Sequence, residues 1–188
     1  MKKSLHAIGG LCIALSLVGC GSGGDNADTA STPGAVGPDA TTPVQKTLTV
    51  AELEQQGKLP KLDRSSSLKG PDADNNGVRD DIDLWIQAQP YSPTQKQSAL
   101  QLAKALQNTL TVDTTNDAAL RSAQDQSRKA VTCIYGRFPS DVQPNPNTVI
   151  KTLQKYTMNT KERVIAYIAY NEALSGSVNG MPSGDTCA

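Results

Sequence analysis

Residues 92–110 read SPTQKQSALQLAKALQNTL, and their spacing decides the fold class. Ser92, Pro93 and Gln95 stand where a helix needs a cap, a proline whose missing N–H costs nothing, and a side chain that reaches back to the cap. Ala99, Leu102, Ala103, Leu106 and Leu110 then recur three and four residues apart, so they share one helical face and leave the other to lysine, glutamine and asparagine. Strand alternation has period two and does not fit.

The same signals recur on both sides. Upstream, Thr49 with Glu52 is a capping-box pair opening a short helix that ends near Gly57. After Asp80, IDLWIQAQ places Ile82, Trp85 and Ile86 on one face, and Pro90 stops the helix. Downstream, Leu120, Ala123, Ser127, Ala130, Val131 and Ile134 carry a helix over 118–135, for which Gly136 is the expected C-terminal cap. Asn145 with Pro146 opens another, with Val149, Ile150, Leu153 and Tyr156 inward. Asn159 with Glu162 is the expected start of the last, whose buried stripe is expected to be Val164, Ile165, Ile168 and Leu174, ending near Gly176. Trp85, Tyr156 and Ile168 read as core. The expectation is an all-α domain over 45–188, a small bundle of five or six helices joined by short polar loops.

Composition narrows what such a domain can do. The 188 residues carry 18 basic and 18 acidic side chains, and setting aside Lys2 and Lys3 leaves 16 against 18. That balance lacks the positive footprint of a nucleic-acid binder. The single histidine is His6, so the domain has no imidazole for Ser-His-Asp or Cys-His catalysis or for a histidine zinc site. Cys133 and Cys187 form an even pair with no partner histidine, which in an oxidising compartment points to a disulfide.

The N-terminal MKKSLHAIGGLCIALSLVGC has the layout of a signal peptide: two lysines, a short apolar run from Leu11 to Val18, then Gly19 and Cys20. Leu17, Val18, Gly19 and Cys20 resemble a bacterial lipobox. The resemblance implies cleavage after residue 19, acyl chains such as palmitate on Cys20, and a membrane anchor; Gly21 in place of aspartate implies the outer membrane of a two-membrane bacterium. Residues 20–44, rich in Gly, Ser, Thr, Pro and Asp, read as a disordered tether.

Residues 72–83 read DADNNGVRDDID. Asp72, Asp74, Asn76, Val78, Asp80 and Asp83 occupy positions one, three, five, seven, nine and twelve, with Gly77 at six. Hard oxygen ligands on alternate residues, a glycine for the turn, a backbone carbonyl from Val78 and a final carboxylate are what a calcium ion needs from twelve residues of chain. The pattern resembles an EF-hand loop, and with Asp83 at twelve, Arg79 at eight and no entering helix it is closer to thrombospondin type 3 and dockerin loops. It also resembles a DxNxNGVRDD-type loop of bacterial lipoproteins and secreted proteins, a likeness that spans residues 68–138 and implies no activity. The alternative is an Asx-rich turn capping the Trp85 helix.

Together these readings give a lipid-anchored envelope protein with a calcium loop and a non-enzymatic structural or interaction role. Other readings are an inhibitor or immunity-type protein that binds a toxin or lytic enzyme in the periplasm, and a calcium-dependent enzyme. The last lacks an acid and base pair, a phosphate-cradling glycine run and a nucleophile motif.

Overall fold

The computed structural model describes residues 47–178 and 180–188; the signal segment, Cys20 and the tether lie outside them. Six helices follow in order: α1 Val50–Gln55, α2 Asp80–Ala88, α3 Pro93–Thr109, α4 Asp117–Arg137, α5 Pro146–Thr157 and α6 Lys161–Ala173. No strand occurs among the described residues. No helix among them is long and apolar enough to cross a membrane.

Helix α3 is the centre, packing against α2, α4, α5 and α6. Its stripe of Ala99, Leu102, Ala103, Leu106 and Leu110 is buried throughout. The main core joins Ala99, Leu102, Ala103 and Leu106 to Ile82 and Ile86 of α2, Ala130 and Ile134 of α4, and Val149 and Leu153 of α5. Alanines at Ala99, Ala103 and Ala130 let the backbones approach, so a chain with few aromatics still closes its interior. Trp85 and Tyr156 pack on the edge of this core as ring pairs set edge to face: Trp85 to Tyr156 at 5.0 Å, Trp85 to Tyr91 at 6.5 Å and Tyr91 to Phe138 at 5.1 Å.

The caps follow the local rules. Thr49 with Glu52 and Ser92 with Gln95 each form a complete capping box, and Asn145 accepts a hydrogen bond from the Thr148 N–H. Gly57 and Gly176 take positive φ just beyond their helices. Two expectations need correction. Gly136 lies inside α4, which runs on to Arg137 and is capped by Phe138. Thr160, not Asn159, caps α6 through the Arg163 N–H, because Asn159 is committed to the buried network described below.

The third correction concerns which side of α6 faces in. Arg163 and Tyr170 are buried, and Tyr167 and Leu174 pack with Tyr170, Leu120 and Ala123 in a second cluster. Val164, Ile165 and Ile168, expected inside, are 41%, 55% and 48% exposed. The helix is apolar on two sides, and tertiary contacts select the one bearing tyrosines and an arginine.

The chain end is tied down by the disulfide between Cys133 and Cys187, 54 residues apart in sequence. Around it, Gln101 Nε2 donates to the Thr186 carbonyl at 2.9 Å and Thr186 Oγ1 to the Lys129 carbonyl at 2.9 Å, so the tail lies across α3 and α4.

Candidate metal centre

The acidic loop closes on itself before α2 begins. The Asp80 N–H donates to the Pro71 carbonyl at 2.9 Å, and Ala73 N–H to Asp80 Oδ1 at 3.0 Å. Inside this ring the chain turns through Asn75 at φ 56° and Gly77 at φ 86°. Asparagine and glycine tolerate that left-handed backbone better than other residues.

Of the six residues expected as ligands, Asp72, Asp74 and Asp80 come together, each offering an oxygen within 4.8 Å of the others. Asp83 joins through Asn76, whose Nδ2 donates at 3.0 Å both to Asp74 Oδ2 and to Asp83 Oδ2. Asn76 Oδ1 accepts from the Val78 N–H at 2.7 Å. The amide therefore puts a weak positive edge among the carboxylates, and ligation through Asn76 Oδ1 requires it to turn over and give up the Val78 bond.

Asp72 is the informative residue. Its side chain is only 4% exposed. One oxygen, Oδ2, accepts from the Gly77 N–H at 3.2 Å and stands 3.8 Å from Lys69 Nζ. The other, Oδ1, is buried with no hydrogen-bond partner. A buried carboxylate oxygen without a donor costs on the order of 1–3 kcal/mol, so the loop fits a cation at this oxygen. The donor set is all oxygen, which suits a hard divalent ion rather than zinc or copper.

Arg79, the departure at position eight, turns away from the acids. It is fully buried, its Nε donates to Asp81 Oδ1 at 2.6 Å and its Nη2 to Asp81 Oδ2 at 2.9 Å and to the Tyr156 carbonyl at 3.0 Å. Asp81 also accepts from the Asp63 N–H at 2.6 Å. Asn159 Oδ1 receives Arg79 Nη1 at 3.3 Å and Arg163 Nη1 at 2.7 Å. Arg163, also fully buried, donates to Asp63 Oδ2 at 2.6 Å and to the Ser67 carbonyl at 2.8 Å. This network of two arginines, two aspartates and an asparagine anchors the loop's base, residues 63–71, to α5 and α6. Burial pushes the Asp63 carboxyl up, while hydrogen bonds from Arg163 and Ser65 and the Arg163 charge pull it down, leaving it below the ordinary 3.8.

Sequence reading missed this network, since nothing in the spacing of Asp63, Arg79, Asn159 and Arg163 marks them as neighbours. Glu162 and Glu172 stand exposed on α6. The described surface carries shallow depressions of about 180 to 440 Å³, one lined by Asp74, Asp80, Asp83 and Gln87. No family model, curated protein or solved structure matches the chain.

Proposed function

We propose that the protein is a non-enzymatic component of a bacterial envelope, anchored by lipid at Cys20, in which one calcium ion bound by residues 72–83 stiffens the entry to α2 for a structural or interaction role. The reading is supported by two features of Asp72: its Oδ1 is buried without a partner, and its carboxylate offers an oxygen within 4.8 Å of oxygens of Asp74 and Asp80. Asp72, Asp74, Asn76, Asp80 and Asp83 supply side-chain oxygens in this reading and Val78 its carbonyl. Calcium suits the loop better than magnesium, because twelve curling residues with carboxylates of unequal reach offer irregular coordination, which calcium accepts and the rigid octahedron of magnesium does not.

Titration calorimetry on the full chain carrying Cys20→Ser tests it. Calcium binds with a dissociation constant of about 10⁻⁴ to 10⁻³ M, the range of extracellular sites. It raises the melting temperature by mass action, and magnesium does not compete at equal concentration. Asp72→Asn and Asp74→Ala remove the heat and the shift while the far-ultraviolet helix signal stays. Absence of heat in the unsubstituted loop up to roughly 10 mM, well above that range, overturns the proposal.

A further inference from the structure

Helix α6 shows water a surface that neither the core nor the acidic loop uses. Its inward stripe is Arg163, Tyr167, Tyr170 and Leu174. Two residues out of phase, about 200° round the helix, runs an outward stripe of Lys161, Ile165, Ile168 and Glu172, exposed along its length. The spacing of four, three and four residues is that of a coiled-coil seam. Ile165 is 55% exposed and Ile168 48%, with Val164 beside them at 41%. Three branched aliphatics side by side in water mark a docking surface.

The charges at the two ends of the seam say what docks. Lys161 is the first residue of α6, at the positive end of the helix dipole, and Glu172 lies in its last turn, at the negative end. Each is placed against its own helix, where the opposite sign is favoured. A second α6 laid antiparallel, with a two-fold axis between residues 166 and 167, removes that conflict. Lys161 then meets Glu172 of the second copy, Ile165 meets Ile168, and Val164 meets Ala169. Parallel pairing instead sets Lys161 against Lys161 and Glu172 against Glu172. A lipid surface fits less well, because Glu162 and Glu172 face the same water and are repelled by anionic headgroups. We propose that α6 is a homodimerisation surface, pairing antiparallel with α6 of a second copy about a two-fold axis. It is independent of whether the loop holds an ion.

A contact of one 13-residue helix lies at the low end of interface size, so the dimer is weak. Sedimentation equilibrium of the full chain with Cys20→Ser, to roughly 500 µM, reads it. The expected result is a monomer–dimer equilibrium that Ile165→Asp abolishes. Lys161→Glu and Glu172→Lys alone each weaken association about tenfold, since both symmetric pairs turn repulsive. An equimolar mixture of those two variants recovers the native strength, because every facing pair is again opposite in sign. All three sites are exposed and the two charge reversals relieve the conflict with the helix dipole, so no loss of thermal stability accompanies these effects. The proposal is overturned by a chain that stays monomeric over the whole range, by association indifferent to Ile165→Asp, or by charge variants whose mixture behaves as each does alone. Stripe substitutions that change only binding to anionic vesicles overturn it too.

Discussion

Gly70 shows how much one residue without a side chain can decide. It sits at φ 66°, and a Cβ there would lie 2.4 Å from Arg79 Cδ and 3.1 Å from Arg163 Nη2. Both arginines are fully buried, so neither can move aside without abandoning an aspartate. Gly70→Ala therefore combines backbone strain with a broken ionic network, and equilibrium denaturation should show a loss of about 2–4 kcal/mol. Gly57→Ala, at φ 66° with open space around it, is the control; it should cost about 1 kcal/mol. Equal losses in the two variants would contradict the account. Asp72 and Asp74 were legible from their spacing, since a twelve-residue loop is local. Gly70 was not: its neighbours come from positions 79 and 163, and only the fold brings them there.

At the scale of elements, the segment before α2 has no regular structure and is held by what α2 and α6 present to it. Arg163 reaches from α6 to the Asp63 carboxylate at 2.6 Å and to the Asp63 carbonyl at 2.8 Å. Because the Asp63 pKa is depressed below 3.8 when folded, the unfolded chain takes up the proton first as pH falls. Its contribution is complete above about pH 5 and is lost as pH drops through 3.8 and the lower folded value. Melting temperature against pH should fall steeply over that window in the native chain. Asp63→Asn should be less stable at neutral pH and flatter below it, and parallel acid limbs would show that Asp63 does not report the docking. Helix α6 also shows where period alone misleads. Both 161–165–168–172 and 163–167–170–174 have helical spacing, and the branched aliphatics favour the first as core. Arg163 decides the matter, because its two terminal nitrogens find their partners in Asp63, Asn159 and Ser67, and turning it inward turns Ile165 and Ile168 out.

Over the whole molecule, the core is modest and the covalent tie matters. The Cys133–Cys187 bond closes 54 residues that include α5 and α6, and a loop of that size contributes about 4 kcal/mol in the chain-entropy account. Reduction should lower the urea midpoint accordingly and free the tail, seen in amide exchange as lost protection of the Ala188 N–H, which donates to Gln101 Oε1. Identical midpoints with and without reductant would place the stability elsewhere. Helix number, order and most of the caps follow from residue order, as does the acidic loop, because capping, period and ligand spacing are set within a dozen residues of chain. The sides of α6, the fate of Asn159 and Arg79, and the buried Asp72 oxygen belong to the tertiary structure alone. Those depend on desolvated charges finding partners up to a hundred residues away, and no local pattern encodes such a pairing.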